Sequence, residues 1–279
     1  MIQSAEALQT LSSGWFLEHA WLIPVVPAIA FFIIILFGKK LPMKGSEIGL
    51  LSMLSSLVLA GGTAMQWIDR VGSGAEGQFI APVVRTWNWW QIGGMKFTIG
   101  QSIDGLAVIV LVVVAFISTL VQLYSTEYLK GDRRYTHFFA ALTLFSAGML
   151  AMVVAEDMIL FLLGWEIMGL CSFMLIGHWW EDGANSRAAL KAFFTVRTGD
   201  MGLLIGVAML YFASNEWTTE HLGVSGFSIR GISAWALSGE PNSTVILVAS
   251  VALFIAAIGK SGQFPLHTWL PDAMAGPTP

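Results

Sequence analysis

Charged residues are scarce in this chain. Only 11% of its 279 residues are Asp, Glu, Lys or Arg, whereas 56% are hydrophobic. A soluble globular chain usually carries about 25% charged residues. No soluble core can hide so much apolar surface, so the composition indicates an integral membrane protein. The small net charge of −4 argues against nucleic acid as a partner, because nucleic-acid binding favours a basic patch.

Cysteine is almost absent too. The single residue, Cys171, excludes a disulfide within the chain and a cysteine-ligated metal cluster. The five histidines are scattered and show no metal-binding spacing, and no glycine-rich phosphate loop stands between a strand and a helix. We therefore expect no flavin, iron–sulfur cluster, nucleotide or metal in this chain. Residues 1–20 lack the basic region of a cleaved signal peptide, so we expect the first apolar run to be retained.

Long apolar stretches are what the chain does have. A spanning helix needs about 20 predominantly apolar residues. Seven stretches meet or nearly meet this requirement: Ala20–Gly38, Ile48–Trp67, Gly105–Gln122, Phe138–Ala155, Met158–Gly177, Ala188–Ala213 and a segment that begins near Val245. The sequence therefore predicts an all-α polytopic membrane protein with about seven transmembrane helices.

The connections between these stretches differ in charge. One side collects Lys39, Lys40, Lys44, Lys130, Arg133, Arg134 and Arg187, and the other has only Arg70, Arg85, Lys96 and Arg230. Cytoplasmic loops are enriched in Lys and Arg, so we expect the N-terminus to lie outside. On the outer side, aromatic and alternating residues of Trp87–Ile99 flank Gly93 and Gly94, which predicts a short β-hairpin.

The seventh stretch is too short to span the membrane. Val245–Ile258 would form only about 21 Å of helix, against a hydrocarbon core of about 30 Å. Gly259, Lys260, Ser261 and Gly262 follow, and then Pro265. We therefore expect a helix broken at Lys260. The chain stops at a turn-like sequence, Gly276–Pro279, and this suggests a fragment of a longer protein.

Five charged residues fall within or beside the predicted helices: Lys191, Glu166, Arg197, Asp200 and Lys260. A charge at the centre of a spanning helix costs about 2.5–3.5 kcal/mol on insertion scales, so each needs a partner, water or neutralisation. Arg197 and Asp200 are three residues apart and can pair locally, so a structural role and a charge-setting role both stay open. Lys191 is close enough to the interface to snorkel.

Glu166 and Lys260 are the stronger functional candidates, because Glu166 has no partner on its own helix and Lys260 lies at the helix break. Burial disfavours a charged lysine and a nearby carboxylate favours it, so a facing Glu166–Lys260 couple would be a switchable proton-loading site. This hypothesis requires that the two side chains face one another. His267, a few residues after the break, is a weaker candidate for a proton wire.

Three blocks of sequence resemble a known family. Leu163–Ser172, Lys191–Asp200 and Gly259–Pro279 are similar to subunit L of bacterial NADH:quinone oxidoreductase (respiratory complex I), called subunit 5 in mitochondria. The resemblance covers nearly the whole chain and implies inverted five-helix repeats. It further implies that Glu166 and Lys260 form the proton-path pair, with Arg197 and Asp200 beside it.

The resemblance also implies a domain division and a longer protein. Residues 1–135 would hold three transmembrane helices and the hairpin loop, and residues 136–279 the first, truncated antiporter-like repeat. The family continues beyond Pro279 through a histidine-bearing helix, a second repeat and a lateral helix.

The resemblance leads us to expect a proton-translocating membrane subunit of an enzyme complex, without a redox centre of its own. NADH, FMN, iron–sulfur clusters and quinone would be bound by partner subunits, and the other membrane subunits and the bilayer would be the direct partners. We expect the plasma membrane of a bacterium rather than a mitochondrion. The large subunit of a multisubunit Na⁺/H⁺ antiporter, a membrane-bound hydrogenase or photosynthetic relative, and a passive scaffold remain alternatives, and the coupling ion stays open.

Overall fold

A computed structural model describes residues 14–74, 79–93 and 95–277. In chain order the helices and strands are α1 Trp15–Glu18, α2 Leu22–Phe37, α3 Ser46–Gly72, β1 Val83–Ile92, β2 Met95–Ile103, α4 Gly105–Tyr128, α5 Tyr135–Val154, α6 Met158–Ile176, α7 Gly183–Leu222, α8 Ile229–Leu237 and α9 Ser243–Lys260. Short 3₁₀ turns occupy Gly38–Lys40 and Asp272–Ala275. Some residues used in the sequence-based predictions lie outside the described residues: 1–13, Gly94, Thr278 and Pro279.

The prediction of seven spanning helices is confirmed for the described part of the chain. The helices long and apolar enough to cross a membrane are α2 (extended by its 3₁₀ turn to Lys40), α3, α4, α5, α6, α7 and α9. The largest difference from the prediction is in α7, which begins at Gly183 rather than Ala188 and ends at Leu222 rather than Ala213. Hydropathy detects the apolar part of a helix, and α7 continues for two turns in polar residues.

Short polar side chains fix where several helices begin. Asp104, Asp157, Asp182, Ser228 and Asn242 each precede a helix and accept a hydrogen bond from a backbone N–H in its first turn. These N–H groups have no partner within the helix, so each cap removes a cost that would be high in an apolar environment. The boundaries of α4, α6, α7, α8 and α9 are therefore set by local sequence.

The predicted β-hairpin is present. Its strands extend beyond the predicted Trp87–Ile99 at both ends, and Gly93 at the turn has a φ of +55°, which favours glycine. The rings of Trp90 and Phe97 stack with their centroids 5.4 Å apart. Its position on the outer side stays a prediction, as do the orientation of the chain and the domain division at residue 135.

The chain forms two compact units. The first consists of the residues up to Thr86 together with Gly100–Ala155, and the second of Trp87–Ile99 together with Glu156 onward. In the first unit, α2–α5 enclose a core that includes Ile23, Met53 and Leu111, all fully buried.

In the second unit, α7 and α9 pack in close contact along small residues. Gly199, Gly202 and Gly206 on α7 face Ala249, Ala252, Ala256 and Gly259 on α9. A Cβ added to Gly202 would stand 2.4 Å from the carbonyl oxygen of Ala252. Small residues let membrane helices approach backbone to backbone. This seam sets the end of α9 beside the middle of α7.

The helix α9 ends at Lys260, where the sequence predicts a break, and turns and a 3₁₀ segment follow it in the described residues. Local chemistry explains this end. Gly262 has a φ of +62°, the N–H of Gln263 donates to the carbonyl of Ile258 at 3.0 Å, and the N–H of Gly262 donates to that of Gly259 at 3.4 Å. This pair of bonds is a Schellman motif, which uses a left-handed glycine to stop a helix. The indole N–H of Trp269 donates to the same Gly259 carbonyl at 3.1 Å.

Candidate functional site: an intramembrane charge cluster

Three of the predicted site residues form one cluster in the second unit. The guanidinium of Arg197 on α7 pairs with the carboxylate of Glu166 on α6 and, at 3.4 Å, with that of Asp200. The Asp200 side chain is 1% exposed, and the other two are about 30% exposed. The local Arg197–Asp200 pair foreseen from the spacing is therefore present. A single arginine bridges two carboxylates, which explains how a span with so many charges can be stable.

Lys260 lies next to this cluster but makes different contacts. Its Nζ donates to the backbone carbonyl of Trp165 at 3.2 Å and lies 5.3 Å from the centroid of the Trp165 ring. The ammonium forms no ion pair with any carboxylate in the described part of the chain. The hypothesised direct Glu166–Lys260 couple is thus not seen. Instead, the carboxylate of Glu166 pairs with Arg197, and the ammonium of Lys260 donates to the carbonyl of Trp165.

Trp165 is the site residue that sequence reasoning did not select. Its indole Nε1–H donates to Oδ1 of Asp200 at 2.6 Å, while its carbonyl accepts from Lys260. The available signal was chemical: an indole N–H within an apolar segment needs an acceptor. The sequence could not identify which acceptor it finds, because Asp200 lies 35 residues away on another helix.

Gly169, one turn after Trp165, leaves room for both cations. A Cβ at this position would stand 3.5 Å from Nζ of Lys260 and 3.6 Å from Nη2 of Arg197. The two cations are therefore near neighbours. Like charges this close repel each other, and the carboxylates of Glu166 and Asp200 offset the charge of Arg197.

The other two predicted residues lie apart from the cluster. Nζ of Lys191 pairs with Oδ2 of Asp272 at 2.7 Å, with both side chains more than 40% exposed. Exposed pairs of this kind contribute about 0–1 kcal/mol. His267 is exposed, and its ring lies against Phe264 at a centroid distance of 5.8 Å. Neither residue contacts Glu166, Arg197 or Asp200 in the structure, and their proposed roles stay predictions.

The arrangement is suited to moving one proton at a time. With Glu166, Asp200, Arg197 and Lys260 all ionised, the four charges sum to zero. Arginine does not titrate in proteins, so protons can be gained or lost only at the two carboxylates or at the lysine. Each such change leaves an unbalanced charge, which is costly in an apolar medium. Protonation here must therefore follow changes in charge nearby.

Across the described ranges, no group of three or more His, Cys, Asp or Glu side chains is placed to hold a metal ion.

Comparison with protein families agrees with these observations. A family model described as NADH:quinone oxidoreductase/Mrp antiporter, transmembrane, matches residues 155–279. A second, described as the N-terminus of NADH-ubiquinone oxidoreductase (complex I) chain 5, matches residues 89–139. Together the two models cover more than half of the chain, and the first contains every residue of the charge cluster.

Two curated relatives match the chain over 94% of its length. They are the NAD(P)H-quinone oxidoreductase chain 5 of Synechocystis sp. and the F420H2 dehydrogenase subunit L of Methanosarcina mazei, each 34% identical. The chain spans only 37% and 38% of these proteins, respectively.

Two solved structures share the fold over 93% of this chain. The archaeal membrane-bound sulfane sulfur reductase superposes with a TM-score of 0.75 at 19% identity, over 48% of that protein's chain. The Mrp complex of Dietzia sp. superposes with a TM-score of 0.68 at 24% identity, over 25% of its chain. These two matches show the shared fold, and the family models and curated relatives show that the chain belongs to the antiporter-like family of membrane subunits that includes complex I chain 5 (subunit L).

Proposed function

We propose that this chain carries the first proton path of a proton-translocating membrane subunit in an NADH:quinone oxidoreductase. The observation that carries the proposal is the charge-balanced cluster of Glu166, Arg197 and Asp200 with Lys260 at the end of a helix beside it. A scaffold has no need of four charges in an apolar span, where each is costly. The chain spans little more than a third of its curated relatives, so transport would belong to the longer protein.

In this proposal the cluster responds to charge changes that begin in partner subunits. NADH, FMN, iron–sulfur clusters and quinone would be bound by those partners, and this chain would carry no redox centre. A positive charge approaching the cluster would favour transfer of the Lys260 proton to water, because the ammonium is held by a neutral carbonyl rather than by a carboxylate. Glu166 would exchange protons while Arg197 keeps its charge in place. The other membrane subunits are the proposed neighbours, in a bacterial plasma membrane with the N-terminus outside.

The test uses the full-length protein in its complex, in inverted membrane vesicles. We expect Lys260→Ala to lower both NADH-driven proton uptake and NADH:quinone activity by at least about tenfold, because electron flow and proton transport are coupled. Lys130→Ala is the matched control, since Lys130 forms an exposed pair with Glu127 and should leave both rates unchanged. Normal proton uptake by an assembled Lys260→Ala complex would contradict the proposal and favour a passive scaffold.

The large subunit of an Mrp-type antiporter is the second candidate. The family model that matches residues 155–279 is named for both kinds of protein, and the Mrp complex shares the fold. The same vesicles distinguish the two candidates. Proton movement driven by a sodium gradient, with no dependence on NADH, would favour the antiporter.

A further inference from the structure

Trp165 contacts both Asp200 in the charge cluster and Lys260 beside it. Its indole N–H donates to Asp200 at 2.6 Å, its carbonyl accepts from Lys260 at 3.2 Å, and its ring face lies 5.3 Å from the same ammonium. The ring also lies against Phe161, at a centroid distance of 5.8 Å. Of the described residues, Trp165 is the one that hydrogen-bonds to both Asp200 and Lys260, through its side chain to the first and through its backbone carbonyl to the second. The residue therefore controls the geometry between an anion and a cation.

Asp200 and Lys260 are both hydrogen-bonded to Trp165, and the charged ends of Lys260 and Arg197 both lie within 4 Å of the Cβ position of Gly169. A nearby carboxylate attracts the ammonium of Lys260, and the guanidinium of Arg197 repels it. Asp200 is 1% exposed, so water does not screen its charge or replace a lost hydrogen bond. Its shortest bond is the one to Trp165, and the ion pair with Arg197 is longer at 3.4 Å. The indole N–H is thus the main restraint on the direction of this carboxylate.

Without that restraint the carboxylate would be drawn to Lys260. A direct ion pair in an apolar medium is much stronger than a bond to a neutral carbonyl, and it would hold the proton on the lysine. The observed arrangement avoids this outcome. Asp200 is turned toward Trp165 and Arg197, and Lys260 holds its proton against a neutral oxygen and an aromatic face.

We propose that Trp165 is a positioning residue that keeps Asp200 from pairing with Lys260, so that the lysine can release its proton. This inference rests on the proposed function of the cluster and adds a residue to it. Trp165 takes no proton itself, because its indole N–H is only a donor. It acts through Asp200 by orienting the carboxylate.

The experiment is a double-mutant cycle in the full-length protein within its complex. Trp165→Phe keeps an aromatic face and the backbone carbonyl but removes the N–H. We expect the coupled NADH:quinone rate, per assembled complex, to fall about threefold or more, the factor expected for one interhelical hydrogen bond in a membrane. In an Asp200→Asn background the same substitution should change nothing further, because the charge that the indole restrains is gone.

A purely structural tryptophan would behave differently. It would lower the rate by the same factor in both backgrounds, and that result would overturn the inference, as would an unchanged rate in Trp165→Phe. Failure of Trp165→Phe to assemble would also overturn it, since the residue would then be structural. Trp235→Phe is the control, because Trp235 is a buried tryptophan of α8 without contact to the cluster. The coupled NADH:quinone rate of this variant should match that of the wild type.

Lys260→Ala separates this inference from the proposed function. If Lys260→Ala keeps full proton uptake, the cluster is not a proton path and both proposals fail. If Lys260→Ala loses uptake but Trp165→Phe keeps the wild-type rate, the proton path stands and only the role of Trp165 falls.

Discussion

The two units of the chain solve the same problem with different chemistry. Both bury polar groups among apolar helices. In the first unit, neutral groups of this kind join helices: Gln122 donates to Thr143 at 3.1 Å, and Ser56 donates to the carbonyl of Ile23 at 2.9 Å. In the second unit the corresponding groups are ionised side chains bridged by Arg197.

This difference distinguishes polar groups that stabilise helix packing from groups that can titrate. Amides and hydroxyls in the first unit hold helices together but do not titrate near neutral pH. No Asp, Glu, Lys or Arg stands within Ile48–Trp67, Gly105–Gln122 or Phe138–Ala155. The cluster of paired carboxylates with Lys260 beside it, which can bind and release protons, lies in the second unit. The comparison predicts that substitutions in the two units will differ in kind as well as in size.

The largest expected effect is that of Arg197→Ala. This change leaves Glu166 and Asp200 without their common partner, and breaking a buried ion pair from one side costs about 3–5 kcal/mol. The partial exposure of Glu166 places the expected loss near the lower end. The measurement is the thermal stability of the purified full-length protein in detergent, together with its amount in membranes.

Gln122→Leu is the corresponding change in the first unit. It removes one neutral interhelical hydrogen bond, which is worth about 0.6 kcal/mol on average in a membrane protein. Coupled proton uptake should stay at the wild-type level. A loss of stability as large as that of Arg197→Ala, or a loss of uptake, would remove the distinction between the units.

An intermediate effect is expected at the α7–α9 seam. The Cβ of Gly202→Ala would stand 2.4 Å from the carbonyl oxygen of Ala252, so the helices must move apart. Overpacking of this kind costs about 1–3 kcal/mol and would displace Lys260 from Trp165. Gly61→Ala in α3 is the matched change in the first unit, since nothing lies within 4 Å of its Cβ position. It should be neutral or stabilising, because alanine favours a helix by about 0.5–1 kcal/mol over glycine. Thermal unfolding of both variants compares the two sites.

The smallest expected effect concerns Glu156, which lies in the connection between α5 and α6. Burial raises the pKa of Glu156 above its ordinary value of 4.5, although the hydrogen bond from Ser228 and the charge of Arg230 oppose this. The folded protein therefore binds this proton more tightly than the unfolded chain does. Its contribution to stability is full below pH 4.5 and is lost as the pH rises through the folded value.

Glu156→Gln should remove this pH dependence. Glutamine keeps the acceptor for the Ser228 hydroxyl, whose bond to Glu156 is 2.5 Å, and it cannot ionise. At neutral pH the variant should be at least as stable as the wild type, and the difference should shrink as the pH falls toward 4.5. Unfolding temperatures at several pH values measure this. Glu127→Gln, an exposed carboxylate, serves as the control, and an equal pH effect there would contradict the role of burial.

Much of this fold follows from local sequence. Apolar length predicts the seven spans, and Gly93 and Gly262 mark the hairpin turn and the helix end because their backbone φ is positive. The ends of α7 were missed, since polar residues such as Glu216 and Glu220 continue a helix beyond its apolar part. The short amphipathic helix α8 was missed as well, being too short for a hydropathy window.

The sequence predicts which residues belong to the candidate site better than it predicts which of them pair. Rare charges in apolar segments identify Glu166, Arg197, Asp200 and Lys260 from the sequence alone. Which of them touch depends on how closely α6, α7 and α9 approach, and this is set by Gly169, Gly199 and the rest of the small-residue seam. The Arg197–Asp200 pair lies within one helix, so the sequence spacing predicts it. The Trp165–Asp200 hydrogen bond joins two helices, so it depends on how those helices pack.

The length of α7 has a consequence for the membrane itself. Forty residues of α-helix measure about 60 Å, which is twice a hydrocarbon core of about 30 Å. Even at a tilt of about 40°, the steep end of the usual range, such a helix rises more than 40 Å and stands out of the apolar layer. The depth at which Arg197 and Asp200 sit therefore depends on how the helix tilts to match its surroundings. Bilayer thickness, which depends on the acyl-chain length of the lipids, would therefore influence the local dielectric constant around the proposed proton site.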